Sequence, residues 1–121
     1  MDTITAQVQE YLNDDERCFL DWYRAYRRLE EFPGEPVAAI PTLDEIREAF
    51  SNWVQLSRDR LFNVICVEWD YRGRRKDERF QEKLTLAVAL AEFLSSTLSI
   101  PSPVTTAVLL VQIGLDEFCR S

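Results

Sequence analysis

The chain has 121 residues, 46% apolar and 29% charged, and its 14 basic and 21 acidic side chains leave a net charge of −7. This is the profile of one folded domain rather than a disordered chain, and its charge repels phosphate backbones at long range, so general nucleic-acid binding is disfavoured. The cysteines, Cys18, Cys66 and Cys119, are odd in number and far apart with no CxxC pair. That spacing predicts reduced thiols in a cytoplasmic protein, not a disulfide framework or a zinc site. The opening MDTITAQVQEYLNDDER is acidic and lacks an apolar run, so no signal peptide is expected in it.

Apolar residues recur at helical spacing from the start: Ile4, Val8, Tyr11, Leu12, Phe19, Trp22, Tyr26 and Leu29, with Thr3 as a candidate cap. Asp15 interrupts this stripe. Either the helix breaks and restarts with Asp14 as cap, or one long helix kinks; the reading favoured is one helix over 3–32, stopped by Pro33 and Gly34. Residues 33–41, PGEPVAAIP, form a Pro-rich connector in which Val37 and Ile40 are expected to tuck against the core. Thr42 and Glu45 have capping-box spacing and open a second helix over 42–71, whose buried stripe is Leu43, Ile46, Phe50, Trp53 and Val54. Residues 58–69 have enough β-branched and aromatic side chains for a strand, but no partner strand is visible, so the helix is extended through a candidate break at Ser57 to a cap at Gly73.

A third helix over 74–98 carries a seam of Phe80, Leu84, Ala87, Ala91, Leu94 and Leu98, widened by Leu86, Val88, Leu90 and Phe93. Ser102 and Pro103 then start a fourth over 103–119, in which Gly114 is expected to permit a close helix crossing. The uncharged run Val104–Leu115 is 12 residues long, against the roughly 20 that a bilayer requires. The expected fold is all-α: an antiparallel four-helix bundle in one domain, with no membrane span.

There is no histidine, no GxxxxGK[ST] and no GxGxxG. The usual general base, most metal sites and phosphate-cradling loops are therefore not expected, and neither catalytic residues nor a cofactor is assigned. Acidic pairs such as Asp44–Glu45 and Asp116–Glu117 fall at helix starts or outer faces, where the helix dipole accounts for them. The distinctive charged feature is YRGRRKDERFQEK. Residues 72–83 carry six basic and three acidic side chains, whereas residues 1–71 are net −8. Arg72, Arg74, Arg75, Lys76 and Arg79 are the candidate partner-binding residues, because cations at the start of a third helix oppose its dipole and call for a use. Tyr23 and Arg27, four apart on a second face of the first helix, are candidates for a stacked pair facing a neighbour.

The expected function is a non-catalytic helical interaction module, an accessory or regulatory subunit that binds a protein partner and is able to self-associate through surplus apolar surface. The alternative is a nucleic-acid-associated protein gripping through 72–83.

Overall fold

The computed structural model describes residues 3–29, 41–96 and 102–119. Every regular element among them is helical, and none is a strand. The elements are α1 (Thr3–Leu12), α2 (Asp15–Leu29), α3 (Leu43–Leu56), and α4 (Arg58–Phe62), which runs on as a π-helix over Asn63–Glu68. They continue as α5 (Tyr71–Arg75), a 3-10 turn (Glu78–Gln81), α6 (Lys83–Ser95), α7 (Pro103–Ile113) and α8 (Leu115–Phe118). The Pro-rich connector with Val37 and Ile40, the first helix's stop at Phe32 and the third helix's end at Leu98 lie outside the described residues.

The core is organised around α7. Seven successive residues, Thr105 to Val111, are buried, so no face of this helix meets solvent along that stretch. A helix apolar on all sides must be covered on all sides. Here α6, α1 and α2 cover it, and α1 also packs on α6. Ala87, Ala91 and Ala107 are fully buried and keep the α6 and α7 backbones close, while Leu90, Leu94, Leu109 and Leu110 fill the space around them. Buried polar atoms beside α7 are satisfied locally. Thr105 Oγ1 donates to the Ser102 carbonyl at 3.1 Å, and the Cys18 thiol donates to the Thr105 carbonyl at 3.6 Å.

A second contact joins α2 to α3 through aromatic rings. Trp22 is fully buried; it stacks on Tyr26 at 5.0 Å and meets Phe50 edge-on at 4.9 Å. Trp53 lies 5.9 Å from Trp22, and Phe19 lies 6.0 Å from Phe50. The Trp22 indole N–H has no hydrogen-bond partner among the described residues, which costs about 1–3 kcal/mol, and the area buried by the ring offsets it.

The helices are shorter than the periodicity alone suggests, and each division has a local cause. The favoured single helix over 3–32 is two helices. Asp14 leaves the spiral, its carboxylate accepts from the Arg17 N–H at 3.1 Å, and its carbonyl receives the Cys18 N–H at 3.1 Å. A polar residue on the apolar stripe thus marks a cap rather than a kink. The span 42–71 begins as expected, with Thr42 Oγ1 accepting from the Glu45 N–H at 3.2 Å. It then breaks at Ser57 and ends at Glu68, the Trp69 N–H reaching back five residues to the Val64 carbonyl at 2.9 Å. Residues 58–68 are helical, not strand.

Gly73 is no C-cap. Asp70, at φ 54°, takes the left-handed conformation that Asp tolerates, and its carboxylate caps α5 by accepting from the Gly73 N–H at 3.3 Å. A Cβ at Gly73 would collide with that carboxylate, so the glycine is needed for close approach. The third helix starts at Lys83 rather than Arg74, because Asp77 caps the intervening 3-10 turn. Phe80 sits in that turn, 6.4 Å from Trp69, instead of in the α6 seam.

Pro103 does open α7, but Ser102, at φ 41°, makes no side-chain cap. A Cβ placed on Gly114 would meet no atom within 4 Å, so this glycine serves no helix crossing. Its role is its φ of 114°, which turns the chain from α7 into α8.

Truncating the core and the surface should differ sharply. Leu109→Ala and Leu110→Ala, at buried positions, are expected to lower unfolding free energy by about 2–5 kcal/mol. Leu56→Ala, at 87% exposure, should change it by no more than about 0.5 kcal/mol. Urea unfolding followed by circular dichroism checks both.

Candidate functional site

The basic segment folds into the wall of an open cleft of about 580 Å³, lined by Tyr71, Arg72, Arg75, Lys76, Gln81, Asp116 and Cys119. Two stretches far apart in sequence supply it: α5 with the chain that follows, and α8 with Cys119. The left-handed turn at Asp70 redirects the chain after the π-helix, so that Tyr71 points inward at 4% exposure while the following cations stay exposed.

Asp116 is the centre of the polar network. Its Oδ1 accepts from the Tyr71 hydroxyl at 2.9 Å and pairs with Arg75 Nη1 at 2.6 Å. Arg72 Nη2 donates to the Cys119 carbonyl at 2.9 Å, and Gln81 Nε2 donates to the Arg75 carbonyl at 2.7 Å. Burial, and then the bond to Asp116, push the Tyr71 phenol up to about 12, so it stays a neutral donor. The lining holds three cations, Arg72, Arg75 and Lys76, and one carboxylate, Asp116, a local excess of two positive charges. Arg75 alone of the three is paired with a carboxylate among the described residues.

The other candidates are placed elsewhere. Arg74 Nε donates to the Trp69 carbonyl, and its guanidinium lies over the Trp69 ring at 5.0 Å. Arg79 is held by Asp77, Nη2 to Oδ2 at 2.8 Å, which keeps the Asp77 carboxyl below its ordinary range. Both therefore serve the neighbouring turn and line a second, smaller hollow with Glu68, Asp70 and Asp77. Tyr23 is half-buried against the core, 6.4 Å from Tyr26, and Arg27 is exposed on the same helix; neither lines the cleft. They sit on α2, which packs on α1, α3 and α7, whereas α5 packs on the π-helix and the 3-10 turn.

Of the cations in this segment, only Lys83 opens a long helix, α6. Arg72, Arg74 and Arg75 lie in the last turn of α5, where cations are favourable, not at the start of a long helix.

The cysteines correct a second expectation. Cys66 and Cys119 are joined by a disulfide, with Cα atoms 5.5 Å apart across 53 residues of sequence. The bridge ties the π-helix to the end of α8. A loop of this size stabilises a fold by about 2–4 kcal/mol. Phe118 reinforces the junction, 6.5 Å from Phe62 and under the Arg58 guanidinium at 5.5 Å. Cys18 remains a free thiol, fully buried, and burial followed by the nearby Asp15 and Asp21 raises its pKa far above the ordinary value, which leaves it unreactive. Tyr71, Gln81, Asp116 and Cys119 are the cleft residues that sequence reasoning missed, since nothing local marks them. The odd count of cysteines pointed away from the pair that forms. Among the described residues no cluster of His, Cys, Asp or Glu is arranged to hold a metal ion, and no helix is long and apolar enough to cross a membrane.

Two outcomes check this geometry. Unfolding in denaturant without reductant should expose one reactive thiol per chain, and three after reduction, counted with a maleimide reagent. Tyr71 and Tyr11 are both raised from 10.0 to about 12, Tyr11 by burial and its bond to Asp21. The fold therefore favours the neutral phenols: their contribution is complete below pH 10 and is lost as pH rises towards 12. Melting temperature should fall across that window, in step with tyrosinate absorbance, and Tyr11→Phe with Tyr71→Phe should flatten the fall.

Compared with known proteins, the chain matches no protein-family model, no curated protein and no solved structure.

Proposed function

We propose that this protein is a non-catalytic helical interaction module, an accessory or regulatory subunit that docks an acidic segment of a protein partner in the cleft formed by Tyr71, Arg72, Arg75 and Lys76. The observation that carries the reading is the way the cleft already holds a carboxylate. Asp116 receives one hydroxyl and one guanidinium on a single oxygen, at 2.9 and 2.6 Å. Arg72 and Lys76 stand beside that pair with no carboxylate of their own among the described residues. Charge-assisted bonds from an ordered guanidinium are the contacts that acidic side chains seek. The single helical unit is read as an elaborated antiparallel four-helix arrangement, with α1 and α2, then α3 to the π-helix, then α6 and α7 as its long members. A cytoplasmic setting accords with the Cys66–Cys119 bridge where the bridge is opened and closed reversibly, because reduced compartments do not keep purely structural disulfides.

The test is fluorescence anisotropy with a labelled oligoglutamate peptide, against uncharged and oligolysine controls. Binding should be selective for oligoglutamate, weaken with salt, and drop by about tenfold in the Arg72→Glu, Lys76→Glu double variant with helical content unchanged. Equal binding of the uncharged peptide would sink the reading. Tighter binding of a single-stranded RNA, lost in the same double variant, would replace it with the nucleic-acid alternative.

A further inference from the structure

The acidic ligand now in the cleft belongs to the chain itself. Resting on the acidic-segment reading above, we propose that α8 is a built-in competitor locked in place by the Cys66–Cys119 bridge, and that reduction of the bridge unmasks Arg72, Arg75 and Tyr71 for an acidic partner.

Three of the cleft's donor groups, on Tyr71, Arg72 and Arg75, are already engaged. Asp116 takes the Tyr71 hydroxyl and one nitrogen of Arg75, and the Cys119 carbonyl takes one nitrogen of Arg72. An incoming carboxylate meets the same donors already engaged by α8. The occupant is also weakly held apart from the bridge. A helix of four residues has too few internal bonds to stand by itself. It follows Gly114, whose φ of 114° with no atom crowding it makes a natural pivot. It is anchored by the buried side chains of Leu115 and Phe118, among other contacts, and by the disulfide. Cys119 is 2% exposed and Cys66 is half-buried on the π-helix, so Cys66 is the more exposed end of the bridge.

The chemistry is thiol–disulfide exchange with a dithiol. One thiolate of the dithiol attacks Cys66 Sγ, the sulfur–sulfur bond of the bridge breaks, and its electron pair leaves on Cys119. The second thiol of the dithiol then displaces Cys66 and closes to a cyclic disulfide. Two electrons pass from the dithiol to the protein, and the dithiol's two protons finish on Cys66 and Cys119. Arg72, bonded to the Cys119 carbonyl, places a positive charge next to the leaving sulfur's residue, which favours departure as thiolate. Closure by an oxidised dithiol is the same sequence reversed.

The test compares three forms of the full chain: oxidised, dithiothreitol-reduced, and oxidised Asp116→Asn. Thiol counts of one, three and one identify the states. Oligoglutamate binding, read by anisotropy, should be at least roughly fivefold tighter in the second and third forms than in the first. Hydrogen exchange at the α8 amides should accelerate on reduction while α7 stays protected. The Asp116→Asn variant keeps the bridge, so it decides the competitor role even where reduction loosens the whole fold. Equal affinity in all three forms overturns the lock and leaves the acidic-segment reading standing. Binding that weakens on reduction, with α7 still protected, also overturns it. No binding in any form removes both.

Discussion

The total burial of α7 is the constraint on which the remaining architecture depends. From Thr105 to Val111 this helix offers no side chain to water, and a helix of that kind exists in solution only when its neighbours are supplied in full. α1, α2 and α6 are committed to that task. Among the described residues, the apolar surface of α7 from Thr105 to Val111 is covered inside the chain. What remains exposed and large among the described residues, Leu56, Val67 and Ile113, lies on three different elements. The proposed docking cleft lies outside these helices, on α5, the chain after it and α8.

The part of the molecule that carries this cleft joins the core through buried Leu61, Ile65, Trp69, Leu115 and Phe118 and through short, specific devices. Gly114 reverses the direction of the chain at the end of α7, the disulfide holds the end of α8 against the π-helix, and Phe118 wedges against Phe62. A covalent bond achieves with two residues what a four-residue helix cannot achieve by packing. The polar cleft shares this junction, because Cys119 of the bridge and Asp116 of α8 line it. Cleft and staple therefore share α8 and Cys119.

Much of the helical content was legible from residue spacing. The capping pair Thr42–Glu45, the start of α7 at Pro103 and the buried face of α6 all follow from periodicity and cap chemistry. The divisions were less legible. Asp14, Asp70 and Asp77 each use a short carboxylate to satisfy backbone N–H groups two or three residues on, and each ends a helix that apolar spacing alone would extend. The same aspartates explain the basic segment's unexpected geometry. Once Asp77 starts a separate turn, the arginines belong to the end of α5 and Arg79 is spent on Asp77 itself. The pairing of Cys66 with Cys119 had no local signal, since 53 intervening residues say nothing about distance in space.

Taken by itself, the sequence determined that this chain is helical, acidic with one basic island, and built around a carboxy-terminal segment too short for a bilayer and too apolar for a surface. These are properties of neighbours along the chain, set by spacing, caps and charge. Tertiary structure decided which faces meet, and so that α7 is central. It decided that three of the five basic candidates line one cleft while Tyr23 and Arg27 sit elsewhere, and that Asp116 and a disulfide complete that cleft. Those outcomes join residues some 45 to 53 positions apart in sequence, and only the packing of the helices brings them within bonding distance.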